Sequence, residues 1–213
     1  MTVIALDLDG TLVDCRARQS LLASSLCRAA GFELNIEMFW SAKRAGATTA
    51  SAICMQGMDT HSATKLSKLW VEQVESDAWL RHDRVFPGVM HALQVVHEIG
   101  FHLHLVTARA NELALTRQLH WLSLAAFFDH VKVVHPQQAS QEKANYLRKV
   151  KPDVFIGDSE SDATAADLAE LRFLAVTSGQ RSKEFLQTHT NLCDLDIKSN
   201  LQEAIQEVIH ENR

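Results

Sequence analysis

The sequence predicts an α/β protein in which a parallel β-sheet is flanked by helices and interrupted by an all-helical insert. Three features predict it. Short, nearly unbroken apolar runs recur, as in strands buried on both faces. Stretches with helical periodicity separate them, the alternation that builds parallel sheets. Between residues 15 and 83 the alternation lapses and only helical patterns follow one another.

The first run is Val3-Ile4-Ala5-Leu6, which ends in acids. Later runs occupy residues 101–106 (FHLHLV), 131–134 (VKVV), 153–156 (DVFI) and 173–176 (FLAV). Between runs, Val89, Leu93 and Val96 repeat at helical spacing before Gly100, and Leu115, Leu119 and Leu122 do the same in the next segment. Near the C-terminus, Ser199 or Asn200 caps a helix whose apolar face is Leu201, Ile205, Val208 and Ile209. In the insert, Leu21, Leu22, Leu26 and Ala29 precede Gly31, Asn35 caps a helix bearing Phe39 and Trp40, and Leu66, Leu69, Trp70 and Val74 form a third stripe. The turn Phe86-Pro87-Gly88 brings the chain back. The pattern divides the chain into a Rossmann-like core, residues 1–14 and 84–213, and a helical unit, residues 15–83.

Composition narrows the function. A chain of 213 residues, 46% of them hydrophobic, suits one substantial core with a smaller accessory unit. With 26 acidic against 21 basic residues and no Lys/Arg block, neither nucleic acid nor an anionic membrane is expected as a partner. No leader and no run of the 18 or so apolar residues that a span needs is present, so a cytoplasmic protein is expected. Cys15, Cys27, Cys54 and Cys193 lie far apart and read as reduced thiols in apolar space.

The sharpest chemical signal is Asp7-Leu8-Asp9-Gly10-Thr11 after the first strand. Residues two apart in a strand share a face, and open parallel sheets bind ligands at the carboxyl ends of their strands. Two carboxylates there repel each other and call for a cation or a shared proton. The second signal is Gly157-Asp158-Ser159-Glu160-Ser161-Asp162 after the run 153–156. Asp158 and Asp162 either bring hard oxygen ligands suited to Mg²⁺, or Ser159 or Asp162 is simply the N-cap of the helix that follows. Thr107-Ala108-Arg109 ends the run 101–106, where a hydroxyl and free N–H groups at a helix start either hold phosphate oxygens or merely cap. Lys143 follows the run 131–134 in the first turn of a helix near the acids, whereas Lys149 and Lys151 lie at its far end.

These motifs, in this order, resemble those of the haloacid dehalogenase-like hydrolase superfamily. DLDGT is similar to its nucleophile motif, Thr107 to its phosphate-binding Ser/Thr, Lys143 to its motif lysine and GDSESD to its acidic motif; the helical insert resembles a cap of the helical type. True dehalogenases lack the second aspartate, so Asp9 points to phosphoryl transfer. GDSESDATAADLAEL with FLAVTSGQRSKEFL is similar to the phosphoglycolate phosphatase-like branch, although Thr107-Ala108-Arg109 stands where many of its members have Thr-Asn.

The resemblance implies a Mg²⁺-dependent phosphatase acting on a small phosphorylated metabolite such as phosphoglycolate, a sugar phosphate or a nucleotide. Asp7 is then the nucleophile and Asp9 the acid and base. Lys143, Thr107 and the Ala108 N–H hold the phosphoryl oxygens; Asp7, the Asp9 main-chain carbonyl and Asp158 hold the metal, and Asp162 acts through water or through Lys143. The cap is a lid. Arg16, Arg18, Lys43 and Arg44 are candidates for leaving-group contacts, each read singly as a solvated surface charge. The eleven histidines show no ligand spacing. A phosphomutase of the same superfamily, and a non-catalytic binding protein on this fold, are the alternatives.

Overall fold

The computed structural model describes residues 2–189 and 195–212. Chain order is β1 (Val3–Leu6), β2 (Val13–Asp14), α1 (Arg16–Ala29), α2 (Ile36–Arg44), α3 (Thr49–Cys54), α4 (Thr60–Gln73), α5 (Asp77–Leu80) and β3 (Arg84–Val85). It continues with α6 (Val89–Glu98), β4 (His102–Ala108), α7 (Glu112–Trp121), β5 (His130–Val134), α8 (Ala139–Val150) and β6 (Val154–Gly157). The last elements are α9 (Glu160–Leu168), β7 (Phe173–Val176), α10 (Lys183–His189), β8 (Asp196–Lys198) and α11 (Leu201–Glu211).

Six strands form one sheet in the order β5-β4-β1-β6-β7-β8, and every pairing is parallel. This is the Rossmann-like arrangement expected from the alternating runs. Strand alternation splits the core into two layers. Ile4, Leu6, Leu103, Leu105, Val154 and Ile156 pack with α6, α7 and α11 on one face. Ala5, Val106, Phe155 and Phe173 pack with α8, α9 and α10 on the other. A fully buried aliphatic side chain of this kind contributes roughly 1.5–3 kcal/mol.

Between β2 and β3 the chain forms α1–α5, and α1–α4 bury their own cluster around Phe39, Ile53, Ala63 and Leu66. The two short strands pair antiparallel, Val13 opposite Val85 and Asp14 opposite Arg84, so exit from the core and return to it form one ribbon. Asn35 caps α2 and Asn200 caps α11, each accepting a backbone N–H through its side chain.

The structure adds to the sequence reading. β8 and the β2–β3 ribbon are strands that the apolar runs did not announce, because they are two or three residues long and only partly buried. β4 runs on to Ala108, held by pairing with Val134 of β5. Cys15 and Cys27 are buried free thiols and Cys54 a half-buried one; Cys193 lies outside the described residues. Among the described residues, no helix is long and apolar enough to cross a membrane.

Candidate active site

The sheet order reverses at β1, which has β4 on one side and β6 on the other. At such a switch point the loops leaving neighbouring strands part and open a crevice. Asp7 and Asp158 immediately follow β1 and β6, Thr107 and Ala108 close β4, and all four line a cleft of about 230 Å³.

Strand parity aims the first of them. Ala5 packs toward α8 and α9, and Asp7, two residues on, meets Lys143 of α8. Lys143 Nζ donates to Asp7 Oδ1 and to Asp162 Oδ1, both at 2.6 Å. The other Asp162 oxygen accepts from the Ser159 hydroxyl at 2.6 Å and completes a capping box at the start of α9. Asp162, the N3 partner of the Ser159 N-cap, thus also orients Lys143. Lys143 is 3% exposed, and α8 carries it on its fifth residue, a little beyond the expected first turn.

Asp158 is buried and accepts the Gln180 N–H at 2.5 Å. Its carboxylate is clasped by glycines. A Cβ on Gly10, whose φ is +87°, would fall 2.0 Å from Asp158 Oδ2, and one on Gly179 would fall 2.1 Å from it. Asp7, Asp158 and Asp162 each offer an oxygen within 4.8 Å of the others. Burial raises the Asp7 carboxyl to about 7 against the pull of Lys143, with Asp162 and Asp9 pushing the same way as burial. Asp158 is pushed well above the usual carboxylate range by burial and then by Asp7 and Asp162. Three buried acids with one lysine leave a deficit of positive charge. Their hard oxygens fit a divalent cation such as Mg²⁺.

Removing the lysine should expose that deficit. Lys143→Met leaves two buried carboxylates without their cation, and metal-free protein should lose about 3–5 kcal/mol at pH 8. At pH 5 the loss should be smaller, since protonation then neutralises Asp7, whose pKa burial raises. Urea unfolding at both pH values measures the difference; an equal loss at each would contradict the charge argument.

Asp9 lines the same cleft but takes other partners. β1 ends at Leu6 and the chain turns at Gly10, so both aspartates lie in the loop that leaves the strand. Arg18 Nη2 donates to Asp9 Oδ2 at 2.8 Å, and Arg109 Nη2 donates to Asp9 Oδ1 at 2.7 Å. The contacts close into a ring. Arg18 Nε lies 3.2 Å from Asp83 Oδ1, an ion-pair contact without hydrogen-bond alignment. Gln118 donates to Asp83 at 2.7 Å and accepts from Arg109 at 3.1 Å. Burial by itself would raise the Asp9 carboxyl, but Arg109 and Arg18 together outweigh it and lower the pKa. Asp83 stays high, at about 7, because burial exceeds the pull of Arg18.

Several sequence expectations need correction. Thr107 and Ala108 are strand residues; the helix after them starts only at Glu112 with Asn111 as its cap, so they line the cleft from a strand end and not from a helix start. Arg18 and Lys43 are buried, at 2% and 9% exposure, instead of solvated. Arg44 donates to the carbonyls of Gly179 and Thr177, tying α2 to the loop after β7. Arg16 fits its reading, exposed and paired with Glu37. Arg109, Asp83, Gln118 and the 179–181 loop escaped the sequence reading. For Arg109, its place beside Thr107 in an unusual triplet was the available signal.

A family model for haloacid dehalogenase-like hydrolases matches residues 4–176. In sequence, the chain is similar to a phosphoglycolate phosphatase of Rhodobacter capsulatus, 28% identical over 186 residues that cover 82% of this chain and 84% of the relative. In fold it is similar to a predicted phosphatase from Clostridium acetobutylicum, with a TM-score of 0.74, 18% identity and 98% of each chain covered. It is also similar to a haloacid dehalogenase-like family hydrolase from Streptococcus pneumoniae, with a TM-score of 0.73, 17% identity, and 100% of this chain and 99% of that one covered. The matched span begins in β1 and ends with β7, taking in the aspartate pair, the Thr107 strand, Lys143 and the Asp158 turn, and the chain thus belongs to the haloacid dehalogenase-like hydrolase family.

Proposed function

We propose that this chain is a Mg²⁺-dependent phosphatase that hydrolyses a small phosphomonoester through a phosphorylated Asp7. The observation that carries the reading is the divergence of the two aspartates. Asp7 is held by Lys143 at the junction of β1 and β6, while Asp9 is held by Arg18 and Arg109. Without metal the two shifts oppose these roles, Asp7 raised by burial and Asp9 lowered by its arginines, so the division into nucleophile and proton carrier requires a cation on the Asp7 carboxylate and a loosened arginine at Asp9.

In the first step an Asp7 carboxylate oxygen bonds to phosphorus as the ester P–O bond breaks, and Asp9 protonates the departing oxygen. In the second step Asp9 removes a proton from water, whose oxygen bonds to phosphorus while the bond to Asp7 breaks. Asp9 as held by two arginines is ready for the base step. To carry a proton it must relax at least one of those contacts. Lys143, the Thr107 hydroxyl and the Ala108 N–H offset charge spread over the equatorial oxygens, and loss of one such donor costs roughly 10²–10³ in rate. Asp7, the Asp9 carbonyl and Asp158 would hold Mg²⁺, which supplies further charge neutralisation for anionic attack; Asp162 has both oxygens committed to Lys143 and Ser159, which supports a positioning role.

The similarity to a phosphoglycolate phosphatase supports a small organic phosphate as substrate, and residues 15–83 act as the lid over the cleft. Phosphate release from p-nitrophenyl phosphate and a panel of small esters, with Mg²⁺ and without a bisphosphate activator, tests the activity. No release from any ester by folded protein would end the phosphatase reading.

Metal binding has a separate signature. In the metal-free protein Asp7 keeps its proton up to about pH 7, whereas its ordinary value is 3.8. The stability that Asp7 contributes below pH 4 therefore drains away as pH rises to 7. Mg²⁺ binds the deprotonated carboxylates and cancels the loss. The rise in Tm on adding Mg²⁺ should accordingly grow from pH 5 to pH 8, by several degrees. A constant rise across that range would argue against these carboxylates as ligands.

A further inference from the structure

The helical insert and the acid cluster hold one peptide group between them. The carbonyl of Gly179 and the N–H of Gln180 belong to the same planar unit and point from its opposite edges. Arg44, the last residue of α2, donates through Nη1 to that carbonyl at 2.5 Å. From the other edge the Gln180 N–H donates to Asp158 Oδ2, also at 2.5 Å. A guanidinium on the insert and a carboxylate in the cleft thus grip one rigid plate, and a turn of the plate at either edge is felt at the other.

The loop that carries the plate is fixed on both sides. Arg44 Nη2 donates to the Thr177 carbonyl at 3.0 Å, so the guanidinium spans the loop. Ser178 Oγ donates to the Gly10 carbonyl at 3.0 Å, and Gly179 packs directly on Gly10 and Asp158. In return the loop serves α2, whose last carbonyls have no partners within the helix. Arg181 Nη1 donates to the Lys43 carbonyl at 2.9 Å, and the Ser182 N–H donates to the Arg44 carbonyl at 3.0 Å. Arg181 also pairs with both oxygens of Glu160, the first residue of α9, two places after Asp158. Elsewhere the insert meets the core differently. Asp77 and Arg117 form an exposed ion pair that joins α5 to α7.

We propose that Arg44 is a positioning residue for the metal site: by holding the Gly179 carbonyl it aims the Gln180 N–H at Asp158, so that Mg²⁺ binds more tightly when the insert is seated on residues 177–182. The proposal rests on Asp7, the Asp9 carbonyl and Asp158 as the Mg²⁺ site and adds control of that site by the insert. Hydrogen bonds behind a ligating carboxylate orient it, and losing one typically costs roughly 10–100-fold in metal affinity. The coupling is reciprocal. If seating the insert tightens Mg²⁺, then Mg²⁺ tightens the seat by the same factor, and lid closure and metal loading favour each other.

Calorimetric titration with Mg²⁺, without ester, tests this on wild type, Arg44→Met, Arg44→Lys and Asp77→Ala. Arg44→Met removes both donors while keeping a long side chain. Its Mg²⁺ dissociation constant should rise about tenfold, the low end of the range for an outer partner because Arg44 acts through a peptide group. Arg44→Lys keeps the charge and reaches one carbonyl; it should show a smaller rise, and it carries the test alone if the methionine variant fails to fold. Asp77→Ala releases the insert at its other contact and should bind Mg²⁺ as wild type does. Hydrogen exchange reads the reciprocal effect: Mg²⁺ should slow the amides of Gly46 and Ala47, which close the end of α2, in wild type but not in Arg44→Met. An unchanged dissociation constant in Arg44→Met overturns the proposal. So does an equal rise in Asp77→Ala, which would mark a general loosening of the insert. Exchange at Gly46 and Ala47 that ignores Mg²⁺ in wild type would likewise break the coupling. Failure of the underlying metal reading looks different: wild type itself binds no Mg²⁺, and the acid cluster and the proposal fall together.

Discussion

Replacing Asp7 by asparagine should lower kcat by roughly 10⁵-fold or more, the scale seen when a covalent nucleophile is removed. The amide keeps the size of the carboxylate but offers no anionic oxygen to phosphorus. The fold should survive. Lys143 retains Asp162, its second partner at 2.6 Å, and the variant loses a carboxyl whose ionisation is opposed by burial and by Asp162 and Asp9. At pH 8 without metal its Tm should therefore be no lower than that of wild type, while the Tm gain on adding Mg²⁺ should shrink. Single-turnover experiments with a ³²P-labelled ester add a direct check, since wild type should carry label briefly on protein and Asp7→Asn should carry none. Turnover within tenfold of wild type would remove Asp7 from the mechanism, whatever its place in the cleft.

The place of Asp7 was legible because local sequence and global fold agree there. An apolar run buried on both faces can only be a central strand, and acids at its end can only lie at the sheet's carboxyl edge. The same logic located Asp158, and helix geometry located Lys143. The ring around Asp9 was not legible. Arg18, Asp83, Arg109 and Gln118 are far apart in the chain and ordinary in their local setting, and what distinguishes them is partnership across the boundary between core and insert. A charged residue on a helix reads as solvated until a buried counter-charge appears, which is why Arg18 was misplaced. Lys43 was misplaced for another reason: among the described residues only the Thr49 hydroxyl is within hydrogen-bond reach of its ammonium, and a sequence gives no sign that so weakly paired a charge is buried. β8 failed as a strand signal because Asp196-Ile197-Lys198 has one apolar residue and no alternation to read.

Asp9→Asn should separate substrates by their leaving groups. The carboxyl protonates the departing oxygen, a contribution typically worth 10²–10⁴ in rate when the alkoxide is a poor leaving group. An alkyl ester such as phosphoglycolate should lose activity on that scale. p-Nitrophenyl phosphate, whose phenolate leaves without a proton, should lose much less in the phosphorylation step. The structure adds a condition to this comparison. Asp9 is bridged by Arg18 and Arg109, which keep it ionised, so the acid step requires a protonated Asp9 that has slackened its hold on them. Arg109→Met removes one of the two bridges without touching the carboxyl. It should raise the Asp9 pKa and move the basic limb of the kcat profile for the alkyl ester upward, because the protonated acid then persists to higher pH; the p-nitrophenyl profile should shift less. Gln118, released from Arg109, retains Asp83, which limits the structural cost. Rate constants for both esters from pH 5 to pH 9 in wild type, Asp9→Asn and Arg109→Met decide the matter. Equal losses on both esters in the kcat/KM of Asp9→Asn, which reports the phosphorylation step, would remove the acid role of Asp9. A basic limb unmoved in Arg109→Met would show that the arginine pair does not control the proton on Asp9.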